Sequence, residues 1–171
     1  MMQKEPQAAA AKIGQAVFIG LLTLALYWQV GGKYTLKGIQ NVAGLNFFVL
    51  VGQFMNWLFG SVLTFQLERE NFLREQANRL YSPYAYFAAK NMVETPICLI
   101  APLVQLLIMY WGVGYTHFLL VYITMAVVAQ TAFGIGLLIS SMAPNVTVAT
   151  SIAPVFTMPM ILFGGFIANN N

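Results

Sequence analysis

The chain has 171 residues, 59% of them hydrophobic and 8% charged. A mean hydropathy of +0.72 with 13 Phe, 8 Tyr and 9 Met is the composition of a membrane protein and excludes a soluble globular domain. The formal net charge is +3, yet seven of the charged residues fall between Leu67 and Lys90, so charge is concentrated in one short stretch.

In chain order, "MMQKEPQAAAAK" comes first, carrying Lys4 and Lys12, with neither a signal-type apolar core nor a cleavage site. Five apolar segments follow, at 13–30, 42–67, 91–113, 118–142 and 146–168, each close to the roughly 20 residues a helix needs to cross a bilayer. Glu94 is the one ionised residue within them. Runs such as "VFIGLLTLALYW" are apolar on every side and lack strand alternation, which favours helices over a barrel. Lys4, Lys12, Arg69, Arg74, Arg79 and Lys90 lie on one side of these spans, and Lys33 and Lys37 on the other. The positive-inside rule therefore predicts a cytoplasmic N-terminus and a cytoplasmic charged loop, with His117 outside. The single cysteine, Cys98, sits in the third span, so no internal disulfide is possible.

Between the second and third spans the spacing predicts a short amphipathic helix over 69–81. Phe72, Leu73, Gln76, Ala77, Leu80 and Tyr81 fall on one half, and Asn71, Arg74, Glu75, Asn78 and Arg79 on the other. Glu70 with Arg74, and Glu75 with Arg79, are i,i+4 pairs in the favourable order. Ser82-Pro83 is expected to end it, because the residue before proline leaves the helical region. Tyr84 and Tyr86 then stand where aromatic rings favour the membrane interface. Mixed charge beside an apolar stripe suits docking on another protein surface; a solvated loop is the plainer reading, and both stay open.

Within the spans, Asn46, Gln53, Asn56, Gly60 and Thr64 lie within an arc of about 80° on the second helix, a side turned toward protein or a cavity. The fifth span gathers Thr150, Pro154, Thr157, Ile161, Gly164, Gly165 and Ala168 in the same way, with Pro154 and Pro159 permitting a kink. Either face serves as helix-to-helix packing or as the lining of a path. Glu94, one turn after Lys90, reads as an interfacial acid. His117 has no companion at metal-ligand spacing, and Asn145-Val146-Thr147 is a glycosylation sequon on the cytoplasmic side. One carboxylate and no histidine inside the spans argue against an intramembrane enzyme. No selectivity-filter loop supports a channel, although a non-catalytic membrane subunit or channel-like helix bundle is the alternative. No G-x-x-x-x-G-K-[ST] phosphate loop occurs, and "GGFIANNN" directly after the fifth span reads as the end of a piece of a larger protein.

The stretch "VLTFQLERENFLREQANRLYSPYAYFAAKNMVETP" resembles the G subfamily of ABC transporters, the White-type half-transporters. The resemblance rests on Leu67-Glu68, Phe72-Leu73-Arg74-Glu75, Tyr81-Ser82, Ala89-Lys90 and Glu94-Thr95-Pro96, and extends from "KIGQAVFIGLLTLALYW" to "PVFTMPMILFGGFIANN". It implies an all-α polytopic membrane helix bundle, five of six transmembrane helices being present, with a short cytoplasmic coupling helix. The expected function is that of the transmembrane domain of an ATP-driven exporter, forming by dimerisation a path for a hydrophobic or amphipathic substrate such as a lipid, sterol, drug or pigment precursor. ATP and Mg would belong to a nucleotide-binding domain absent from this chain, which is then no enzyme itself and holds no cofactor or metal. The partners implied are that domain, a second half-transporter in a homo- or heterodimer, and membrane lipid, with no nucleic acid. By the same resemblance and the polar faces, the substrate path is Gln53, Phe54, Met55, Asn56, Thr157, Met158 and Ile161, closed outside by a plug of Phe166 and Ile167. The coupling helix would act through Phe72, Leu73, Arg74, Glu75 and Arg79, and a polar relay through Glu68 and Glu94.

Overall fold

Uniformly apolar stretches leave the backbone no partner but itself, and the computed structural model accordingly builds helices from them. It describes residues 4–28, 36–113, 115 and 117–163, and among these every regular element is helical. In chain order they are α1 (Lys4–Leu26), α2 (Leu36–Ala77), α3 (Pro83–Val113), α4 (Phe118–Met142) and α5 (Val146–Phe163). Three are long and apolar enough to cross a membrane, over Asn41–Ala77, Pro83–Val113 and Phe118–Met142, and shorter apolar stretches cover Ala10–Leu26 and Val146–Pro159. The far ends expected for the first and fifth spans, at positions 30 and 168, lie outside the described residues.

Two boundaries differ from expectation. The amphipathic segment is not a separate helix, because α2 runs unbroken for 42 residues through Leu67 and on to Ala77. "QLERENFLREQA" contains no Gly or Pro and is rich in good helix formers, so nothing interrupts the ladder at the end of the apolar run. The helix stops before Tyr81. Arg79 adopts a left-handed φ of 53°, its N–H donating to Gln76 O at 3.0 Å while the Leu80 N–H donates to Glu75 O at 3.2 Å. This is the Schellman pattern with arginine where glycine is usual. Ser82-Pro83, in turn, opens α3: the Ser82 hydroxyl accepts from the Ala85 N–H at 3.3 Å, and proline takes the first helical position, where a missing N–H costs nothing. "YAYFAAK" therefore forms the first turns of α3.

Contacts divide the chain into two compact units, Met1–Val49 with Thr95–Val127, and Leu50–Glu94 with Val128–Asn171. In the first, α1 lies so close to α3 that a Cβ on Gly112 would overlap the Leu24 side chain. Leu45, Cys98, Leu106, Met109 and Met125 are buried there, and the Tyr115 hydroxyl donates to Asn46 Oδ1 at 2.7 Å. In the second unit the buried side chains are Phe54, Trp57, Leu58, Val62 and Phe65 of α2, Ala132, Phe133, Leu137 and Ile139 of α4, and Ala149 and Ala153 of α5. Close approach recurs at Gly136, whose Cβ would overlap Ser61 Oγ and stand 2.7 Å from Leu58 O. Small residues at such crossings let backbones meet, which is how helices pack without a hydrophobic driving force between them.

Many hydroxyls in the spans are satisfied within their own helix. Thr23 donates to Ile19 O at 2.7 Å, Ser61 to Leu58 O at 3.0 Å, Thr64 to Gly60 O at 2.8 Å, Thr124 to Leu120 O at 2.9 Å and Thr157 to Pro154 O at 3.0 Å.

Candidate functional site

Where α2 leaves its apolar run, charges and rings gather. Lys90, at the end of the second turn of α3, donates to both Glu68 carboxylate oxygens at 2.8 and 2.7 Å, and the Tyr86 hydroxyl donates to the same carboxylate at 2.8 Å. Around this ion pair the Phe72 ring centroid lies 4.6 Å from Tyr86 and 6.2 Å from Phe65, with Tyr81 stacked 6.2 Å from Tyr86. The Tyr81 hydroxyl donates to Glu75, and that hydrogen bond pushes its phenol up to about 12. Gln76 Nε2 closes the turn by donating to Tyr81 O at 3.0 Å. The result is a helical elbow whose two arms are fixed by an aromatic cluster with a salt bridge beneath it.

The expected docking residues thus divide. Phe72 and Glu75 are engaged inside the elbow, while Leu73, Arg74 and Arg79 are exposed, with Leu80 beside them. Arg79 stands in the terminating turn, not on the helix. Of the expected relay, Glu68 carries the ion pair with Lys90, and Glu94 is buried on the same helix as Lys90.

The expected path residues are placed unevenly. Gln53 and Phe54 are buried, Met55 and Asn56 half-buried, Thr157 buried, Ile161 half-buried, and Met158 exposed. Asn46, on the same sequence-predicted face, is tied to Tyr115. The expected plug, Phe166 and Ile167, lies outside the described residues. His117 is exposed, and among the described residues no cluster of His, Cys, Asp or Glu could hold a metal.

Two residues outside the expected site matter to this end of the unit. Gln66 Nε2 donates to Ser140 O at 2.8 Å and to Ala143 O at 3.2 Å, and Arg69 donates to Pro144 O at 3.1 Å. Ser140 returns a bond from its hydroxyl to Val62 O at 3.0 Å. The signal available beforehand was a lone glutamine at the polar edge of an apolar run, followed one turn later by arginine.

The family described as "ABC-2 type transporter" matches residues 1–171. Protein white of Drosophila melanogaster is 30% identical over 171 residues, covering 98% of this chain and 25% of that protein. ABC transporter G family member 1 of Dictyostelium discoideum is 29% identical over 178 residues, covering 99% of this chain and 22% of the relative. The mouse protein named broad substrate specificity ATP-binding cassette transporter ABCG2 is 29% identical over 169 residues, covering 96% and 25%. The chain spans about a quarter of the length of these relatives. With its charged elbow set between long apolar helices, the chain belongs to the ABC-2 type transporter family, as a membrane domain of the kind found in the G-family members.

Proposed function

We propose that this membrane domain forms, with a second half-transporter, the translocation path of an ATP-driven exporter, and that the charged end of α2 receives the motion of a nucleotide-binding domain. The observation that carries the reading is the pair Leu73 and Arg74, exposed on a helix end that is otherwise fixed from within by Phe72, Tyr81, Tyr86 and the Glu68–Lys90 pair. A helix end held rigid on one side and presenting an apolar and a cationic group on the other can take up a push from a soluble partner without yielding. This end and the N-terminus are then cytoplasmic, in keeping with the distribution of Lys and Arg.

ATP and Mg act in the partner domain. The substrate is hydrophobic or amphipathic and passes between Phe54, Asn56 and their counterparts, with Gln53, Met55, Thr157, Met158 and Ile161 along the path, below a plug of Phe166 and Ile167. Half-burial of Met55 and Asn56 in the middle of an apolar helix supports this, since a carboxamide turned toward lipid alone has no partner.

The test is made in the full-length transporter with its nucleotide-binding domain. Leu73→Ala and Arg74→Ala should lower transport per ATP hydrolysed while ATPase activity and surface expression persist. Asn56→Ala should change which substrates stimulate the ATPase. Unchanged transport stoichiometry in both elbow variants, at equal expression, refutes the docking role.

A further inference from the structure

We infer that Gln66 and Arg69 are positioning residues that hold the α4–α5 turn, and through it the start of α5, in step with the charged end of α2. The inference rests on the proposed transporter reading for its consequence, but the clamp itself stands on contacts already described.

The last carbonyls of a helix have no partner within it, and α4 has no basic residue in its last turn to satisfy them. Only Ala143, Pro144 and Asn145 separate α4 from α5, and one of these is a proline. α2 fills the need from outside. The side-chain amide nitrogen of the buried Gln66, which carries two hydrogens, donates to Ser140 O at 2.8 Å and to Ala143 O at 3.2 Å. One turn further along the same helix face, the Arg69 guanidinium takes Pro144 O at 3.1 Å and brings a positive charge to the negative end of α4. Ser140 answers with its hydroxyl on Val62 O at 3.0 Å, and at Gly136 the α4 backbone reaches Leu58 and Ser61. The seam thus repeats once per turn of α2, at 58, 62, 66 and 69.

Two features let the seam transmit a displacement. From Gln66 to Arg74 α2 is continuous helix, so a displacement at the exposed Arg74 reaches Gln66 without a hinge. On the far side the turn is too short to absorb it, and the helical bonding of α5 already begins at Asn145, whose carbonyl accepts from the Ala149 N–H at 3.0 Å. The start of α5 must follow. Thr157, Met158 and Ile161 lie farther along α5, so the clamp ties these proposed path residues to the end that receives the push.

The experiment uses the full-length transporter carrying Cys98→Ala and Ala149→Cys, because Ala149 is fully buried at the start of α5 and reacts only when the turn is released. Two readouts are taken on inside-out vesicles: the rate of maleimide labelling at position 149, and transport per ATP hydrolysed. Losing two hydrogen bonds in Gln66→Leu should speed labelling by about tenfold and lower transport per ATP, with ATPase activity retained. Arg69→Gln should do the same more weakly, and Arg69→Lys, which keeps the cation, should restore much of the loss. Arg69 is less buried than Gln66, so its variants report even if Gln66→Leu fails to assemble. Labelling unchanged within about twofold in both variants overturns the clamp. Faster labelling with unaltered transport per ATP overturns the positioning role and leaves only packing. Leu73→Ala with Arg74→Ala is run in parallel: if it alone leaves stoichiometry intact, the transporter reading fails at the elbow, while the labelling result still decides the clamp.

Discussion

Glu68→Gln isolates the charge of the elbow, because the substitution keeps size and one acceptor oxygen. In the native protein the Lys90 ammonium donates to both carboxylate oxygens, and the Lys90 side chain is 11% exposed, against 37% for that of Glu68. Breaking a fully buried pair by removing one partner costs about 3–5 kcal/mol, whereas an exposed pair contributes about 0–1 kcal/mol. The pair lies between these limits, its lysine side chain mostly buried and its glutamate partly exposed, so an intermediate loss of about 2 kcal/mol is expected, most of it from the stranded lysine. The double variant Glu68→Gln with Lys90→Met should recover about 1 kcal/mol of that, since no charge is left unpaired. Thermal unfolding of the purified protein in detergent, followed by tryptophan fluorescence, supplies the four corners of the cycle. If Glu68→Gln and the double variant unfold within about 0.5 kcal/mol of each other, the pair behaves as a solvated surface contact and the elbow is held by its rings alone.

Gly136→Ala should destabilise by about 1–3 kcal/mol in the same unfolding assay, and Ser61→Ala should rescue it only partly, because Leu58 O still stands 2.7 Å from the new Cβ. Arg79→Gly should stabilise the elbow by about 1 kcal/mol by relieving the left-handed φ of 53°, whereas Arg79→Ala should not; hydrogen exchange at the Leu80 amide reports the difference. The Tyr81 phenol, raised from 10.0 to about 12 by its bond to Glu75, is favoured neutral in the folded elbow. Its contribution is therefore complete below about pH 10 and lost as the pH rises toward about 12, visible as tyrosinate absorbance missing from Tyr81→Phe.

Helix positions were legible from hydropathy because lipid-spanning runs need no partner to be recognised, and the charged block marked the stretch in which the elbow between α2 and α3 forms. Less legible was where α2 ends. The change from apolar to charged residues at Glu68 looks like a boundary, yet the backbone responds to propensity, and nothing from Gln66 to Ala77 opposes a helix. The wheel put Phe72 with Leu73 on one apolar half, but rings on α3 fold back and take Phe72 inward while Leu73 stays out. Gln66 escaped notice for a related reason: its partners are backbone carbonyls more than 70 positions away, and a carbonyl leaves no mark in the sequence. Glu68 and Lys90 both stand out in the sequence, but their pairing requires the elbow that the turn at Arg79 and Ser82 creates.

The hydroxyls that lean back on their own helices bear on biosynthesis. Thr23, Ser61, Thr64, Thr124 and Thr157 each donate to a carbonyl three or four residues earlier, so their polar groups are already satisfied in an isolated helix entering the bilayer. Gln66 shows no such local bond, and its amide finds acceptors on Ser140 in the last turn of α4 and on Ala143 just beyond it. During synthesis α2 must wait for α4, some 70 residues later, before this carboxamide is matched. Until then α2 carries an exposed polar group at the edge of its apolar run, a form that membrane chaperones and quality-control proteases can distinguish from the assembled domain.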